Sequence, residues 1–227
     1  MGTSVSFRSP NTPRWQALRG SLETSESLER IRSELFNAGE SWADEFADAA
    51  IAPFLRALLR AYDTMADAVS GVERPEWAIL SIVREARSES IAAGAPASLA
   101  IAERALMRTL VDAMRGNSPL SASSAGEAAS AWQANRGASA AGLAQRYLAE
   151  VVQQFALHAV SREAAAVFRR TGDAGASREL AQSVGETAAE AARSARFEDG
   201  ELREEPARAW AAAVRAVFSV GQRLPSR

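Results

Sequence analysis

Leu143-Ala144-Gln145-Arg146-Tyr147-Leu148-Ala149-Glu150-Val151-Val152-Gln153-Gln154-Phe155-Ala156-Leu157-His158-Ala159 is the stretch that decides the fold of this chain. Leu143, Tyr147, Leu148, Val151, Val152, Phe155 and Ala159 recur at the three- and four-residue steps that bring side chains to one face of an α-helix. A half-buried strand would alternate apolar and polar positions instead, and no such alternation stands out anywhere in the sequence. This is the strongest amphipathic signal in the chain, and the sequence on both sides of it also reads as helical.

Towards the C-terminus the pattern continues through Val167 and Phe168 to the turn Thr171-Gly172-Asp173. A weakly apolar, Ala-rich helix follows from about Ser177 to Ala195, with only small residues to bury it. The last helix begins near Pro206, with Glu204 and Glu205 at its positive end. It presents Trp210, Val214, Val217 and Phe218 inward and ends at Gly221.

Towards the N-terminus, Gly116-Asn117-Ser118-Pro119-Leu120-Ser121-Ala122-Ser123-Ser124 is turn-rich and marks a boundary between two helical halves. Before it, Ser98 is placed to cap a helix carrying Leu99, Leu106, Leu110 and Met114, behind a linker over 92–98. Trp77, Leu80 and Val83 mark a short helix. A longer one carries Trp42, Phe46, Phe54, Leu55, Leu58, Tyr62, Met65 and Val69 and should kink or divide at Pro53. Leu28, Ile31, Leu35 and Phe36 form another helix that stops at Gly39. Thr12-Pro13 is a helix start, with a capping hydroxyl and a proline in the first turn, and the short helix it opens carries Trp15, Leu18 and Leu22. The chain is therefore expected to be an all-α multi-helix bundle over 13–227, as one domain or as two sub-bundles divided near 116–124. Residues 1–12 precede it as an extended arm. The five Trp are expected to be core or interface anchors.

At 227 residues the chain can bury a core of its own. All 26 of its basic residues are Arg, with no Lys, and Ala is in excess; together these resemble the output of a GC-rich bacterial genome rather than a binding code. Arg alternates with Glu and Asp, and the formal net charge is -2, which argues against a nucleic-acid surface. Without Cys there is no disulfide, thiolate metal site or Cys nucleophile, and a single His removes most other metal and triad chemistry. The longest apolar run, Ala49 to Leu59, is broken by Pro53 and Arg56 and is too short to span a bilayer. No membrane association is expected, and the cytoplasm is the expected location.

The chemical motifs are few. His158 sits beside the apolar stripe without a partner motif and reads as structural. Arg169-Arg170 could grip a phosphate, but it suits the last turn of a helix, where positive charge complements the dipole. No E-x-x-H, D-x-D-x-D-G or nucleotide-loop pattern is present, so no metal, cofactor or enzymatic activity is expected.

The N-terminal arm, Met1-Gly2-Thr3-Ser4-Val5-Ser6-Phe7-Arg8-Ser9-Pro10-Asn11-Thr12, is different. It is rich in Ser and Arg but lacks the apolar core, about 7–15 residues long, of a secretory signal. Its match to the M-G-x-x-x-[ST] myristoylation pattern is read as incidental in a bacterial chain. Gly2 is small enough for Met1 to be removed, which leaves a free glycine amine. Phe7, Pro10, Pro13 and Trp15 give the composition of a linear motif for a partner's groove. Met1-Gly2-Thr3-Ser4 followed by Phe7 and Ser9-Pro10 resembles the start of the B component of Qat anti-phage defence systems and related small defence-operon proteins. That resemblance implies a non-catalytic component acting with an ATPase, a nuclease-like hydrolase and an enzyme similar to the deazaguanine-synthesis protein QueC. The QueC-like partner would activate a carboxylate with ATP and join it to an amine. Gly2 is then the expected site of modification, with Thr3, Ser4, Phe7 and Pro10 as the partner-recognition arm. A terminal amine with a pKa of about 8 is far more nucleophilic at neutral pH than Lys.

Two other readings stay open. One is an unmodified helical scaffold or adaptor that docks on a larger complex. The other is an enzyme whose site is assembled from scattered Arg, Glu and Tyr, which would require a pocket with convergent polar groups.

Overall fold

The computed structural model describes residues 12–24, 27–40, 52–92, 98–115, 119–120, 123–162, 164–173, 175–193 and 195–221. Among these residues there are eleven helices and no strand: α1 (Pro13–Glu23), α2 (Leu28–Glu40), α3 (Ala52–Ser70), α4 (Pro75–Ala92), α5 (Leu99–Met114), α6 (Ala125–Asn135), α7 (Ala140–Arg162), α8 (Ala164–Thr171), α9 (Ala176–Arg193), α10 (Asp199–Glu204) and α11 (Pro206–Gly221). The protein is an all-α multi-helix bundle.

The helix that decided the reading, α7, runs through the middle of it. Along one side it carries an aromatic chain. Trp15 of α1 meets Phe155 edge-on at 6.5 Å, Phe155 meets Phe218 of α11 at 5.8 Å, and Phe218 meets Phe36 of α2 at 6.1 Å. One level up, Tyr147 lies 5.1 Å from Trp210, whose other neighbour is the stacked ring of Phe197 at 6.3 Å. Such T-shaped and offset pairs add to the burial of the rings themselves. Beyond 116–124, α6 packs on α3 and α5, and α7 packs on α3 and α5, so helices on the two sides of that stretch share contiguous buried side chains.

Several helix ends follow directly from the sequence. The Thr12 hydroxyl accepts from the Trp15 amide at 3.3 Å with Pro13 in the first turn. Gly172, at φ 69, closes α8 in the left-handed conformation that suits glycine, and its amide donates to the Phe168 carbonyl at 2.8 Å. Pro53 lies in the first turn of α3, where a missing amide costs nothing. The stretch before it that carries Trp42 and Phe46 lies outside the described residues. Other ends are closed from a distance. The Gln145 amide donates to the carbonyls of Arg193 and, at 2.5 Å, Ala195 at the end of α9, while Asp199 accepts from the Ala141 amide at 2.7 Å at the start of α7.

Four sequence expectations need correction. Gly39 does not stop α2; it lies within the helix, and the ring of Phe218 fills the space beside it. Ser98 precedes α5, but its backbone is helical, with φ -60 and ψ -15, and its buried hydroxyl makes no cap. The helix marked by Trp77 is not short, and its inward face is shifted by one residue. Ala78, Ile79, Val83 and Ala86 are buried, while Trp77 and Leu80 are 48% and 47% exposed. Phe168, on α8, is 51% exposed, so only Val167 of that pair is in the core.

The weakly apolar helix of the sequence, α9, packs extensively along α7. Ala181, Gly185, Ala189 and Ala192 are buried on one side of it, and this lets the two backbones approach closely.

Candidate functional site

Gly2, Thr3, Ser4, Phe7 and Pro10 lie outside the described residues, which begin at Thr12. What is placed is their point of attachment. Arg14 pairs with Glu40 at 2.8 Å, and Trp15, Leu18 and Leu22 are buried. The far end of α1 is held by α8: Arg169 reaches Glu23 at 3.6 Å, and Arg170 donates to the Thr24 carbonyl at 3.0 Å. The paired arginines thus occupy the last turn of their helix, as their sequence position suggested, and close the carbonyl end of a second helix as well.

A concave feature of the body lies on the side of α7 away from the aromatic chain. There α5 and α9 flank it, and three hollows of about 130, 640 and 330 Å³ follow one another along the helix. The first and second share Gln153; the second and third share Leu157 and Ser161. They form one furrow from Arg146 to Ser161, about 22 Å at the helical rise per residue.

At the closed end, Thr109 and Asp112 of α5, Arg146 and Glu150 of α7, and Arg193 of α9 converge. Burial raises the Glu150 carboxyl above its ordinary range; Arg108, at 3.7 Å, pulls the other way, and Asp112 reinforces the rise. Burial also lowers the Arg146 guanidinium, which donates to the Asn135 carbonyl at the end of α6. The Thr109 hydroxyl donates to the Ala105 carbonyl at 2.8 Å.

His158 lines the open end with Arg104 and Gln154, in a hollow whose lining includes no carboxylate. Tyr147 is fully buried behind the furrow against Trp210, where loss of hydration pushes its phenol well above the usual range. Among the described residues no group of His, Asp and Glu could hold a metal ion, and no helix is long and apolar enough to cross a membrane.

No family model, curated protein or solved structure matches this chain. Its own geometry is therefore the guide to the site.

The furrow was missed in the sequence although α7 carries its signal. Arg146, Glu150, Gln153 and Gln154 recur at helical spacing opposite the apolar stripe, inside the longest helix of the bundle. That placement marks a second face that another helix covers only in part.

Proposed function

We propose that this protein is a non-catalytic helical component of a bacterial anti-phage defence operon, whose Gly2 amine is recognised and covalently modified by a QueC-like partner enzyme. The reading rests on the start Met1-Gly2-Thr3-Ser4. The structural observation that supports it is the anchoring of α1. Thr12 caps the helix, and Trp15, Leu18 and Leu22 fix it in the core, so a group joined at Gly2 stays tethered to a rigid body. Ten residues of chain reach at most about 35 Å, which keeps that group near α1. Thr3 and Ser4 serve recognition, while Phe7 and Pro10 seat the arm in the partner's groove. In the modification step the Gly2 nitrogen attacks a carboxylate activated by ATP. An amide forms, the nucleotide portion leaves, and the amine gives up a proton.

Intact-protein mass spectrometry of the chain expressed with its neighbouring genes tests this. Loss of Met1 with an added mass on Gly2 is expected, and Gly2→Pro should abolish both the adduct and defence. Defence and partner binding unaffected by Gly2→Pro would sink the reading.

A second reading, an unmodified scaffold or adaptor, is favoured by Trp77 and Leu80. They lie one turn apart on the outer face of α4 and expose apolar surface. Deleting residues 2–12 separates the two: a scaffold keeps its partner, whereas a modified carrier loses its function.

A further inference from the structure

The arginines of this protein fall into two groups. Most of those between helices are closed on a carboxylate: Arg56 and Arg60 on Glu89, Arg87 on Glu103, and Arg203 on Asp63 through two hydrogen bonds of 3.0 and 3.1 Å. Along the furrow the pattern changes. Arg104 and Arg178 make no ion pair or side-chain hydrogen bond among the described residues, and Arg108 has only its long contact to Glu150. Arg104 and Arg108 stand one helical turn apart on α5, and Arg178 of α9 lines the same hollow as Arg108. In a chain of net charge -2, the open part of the furrow is a local excess of positive charge among the described residues, with Glu186 the one carboxylate they contribute to its lining.

Its floor is of a different chemistry. Leu157, Ile101 and Ala181 offer aliphatic contact, and Gln153, Gln154 and Ser161 offer hydrogen bonds. We infer that the furrow along α7 is a docking groove for an acidic amphipathic helix of a partner protein. Carboxylates one turn apart meet Arg104 and Arg108, and an aliphatic side chain between them rests on Leu157. Arginine forks favour carboxylates through paired N–H donors, and the alternation of apolar floor and charged rim is the pattern that receives a helix in a groove.

Nucleic acid is the competing polyanion, and the furrow suits it less well. No Phe, Tyr or Trp side chain lines the open hollows to stack on a base, and Glu186, with Glu150 and Asp112 at the closed end, repels a continuous phosphate backbone. The inference is independent of what happens at Gly2, because the furrow is built from α5, α7 and α9 alone.

The test is fluorescence anisotropy on the full chain with three labelled probes. The first is an amphipathic helical peptide with Glu residues one turn apart around a central Leu. The second has Lys in place of each Glu, and the third is an oligouridylate. Saturable binding of the Glu peptide alone is expected. It should weaken at least about tenfold at high salt and in Arg104→Glu with Arg178→Glu. Both arginines are exposed and unpaired, so this variant should fold, as circular dichroism will show. Arg84→Glu, an exposed change on α4, should leave binding as it was. Three results would each overturn the inference: no saturable binding of the Glu peptide at millimolar concentration, binding unmoved by the double variant, or preference for the oligouridylate.

Discussion

The ring of Phe218 occupies the space that a side chain on Gly39 would need. A Cβ built on Gly39 would sit far closer to Phe218 Cε1, Cδ1 and Cζ than carbon atoms approach. The same ring bridges Phe36 and Phe155, so it cannot move without disturbing three helices. Gly39→Ala should therefore destabilise the protein by about 2–3 kcal/mol, against the gain in helix propensity that alanine normally brings. Chemical denaturation measures this, and Gly39→Ala combined with Phe218→Leu should recover part of the loss. A Gly39→Ala protein as stable as the parent would mean that α2 and α11 do not meet in this way.

Gly39 also shows what the sequence could and could not reveal. A glycine at the end of an apolar run reads as a helix stop, and only the approach of α11, from the far end of the sequence, makes it a contact position. The long apolar face of α7 and the ends at Thr12, Gly172 and Pro206 were legible because local chemistry sets them. The helix α6 was hidden. Its one large apolar residue in the core is Trp132, and its capping box, in which Ser124 and Glu127 bond reciprocally at 2.7 and 3.3 Å, falls in a Ser-rich stretch that reads as loop. In α4 the face with Ala78, Ile79, Val83 and Ala86 packs against α3 and α5, whereas Trp77 and Leu80, which mark the helix in the sequence, lie on its outer face. The furrow depends on which helices cover α7, and tertiary packing alone decides that.

The helix caps make a comparison possible. Thr12 and Ser124 accept bonds from amides of the helices they begin, so Thr12→Ala and Ser124→Ala should each cost about 1 kcal/mol. The hydroxyl of Ser98 is fully buried, makes no hydrogen bond, and follows helical backbone. Ser98→Ala should be neutral or stabilising by up to about 1 kcal/mol, since it removes a buried, unsatisfied group. Parallel thermal melts of the three variants check this. A Ser98→Ala loss as large as that of the other two would restore Ser98 as a cap.

Between α7 and α9 the approach is close but less rigid. A Cβ on Gly185 would lie 3.2 Å from Gln153 Cγ, a side-chain atom, with the Gln153 carbonyl oxygen and Leu157 Cγ at an ordinary van der Waals distance of 3.7 Å. Gly185→Ala should fall within about 0.5 kcal/mol of the parent, because the propensity gain offsets a small shift of Gln153. Gly185→Leu cannot be absorbed in that way and should cost about 2 kcal/mol or more. Equal stability of the two variants in urea would show that α9 does not lie against α7 at this point.

The stability of the closed end of the furrow should depend on pH through Glu150. Burial raises its carboxyl above the ordinary value of 4.5, and Arg108 compensates only in part. The folded protein thus holds this proton more tightly than the unfolded chain, so the ionised form weakens the fold. That cost is absent below 4.5, develops as pH rises through the folded-state value, and is complete above it. Glu150→Gln removes the charge and keeps the shape. At neutral pH it should raise stability by up to about 1 kcal/mol, and the gain should fade on acidification until the two proteins melt alike. Asp63 has the opposite sign: hydrogen bonds from Arg203 hold it below 3.8, so its small, solvent-screened contribution is present above that value and lost as pH falls through the folded-state value. Denaturant melts of Glu150→Gln across the acid range distinguish burial from pairing. A variant less stable than the parent at neutral pH would mean that attraction to Arg108 outweighs the loss of hydration, and the furrow would then be closed by an ion pair rather than burdened by a buried charge.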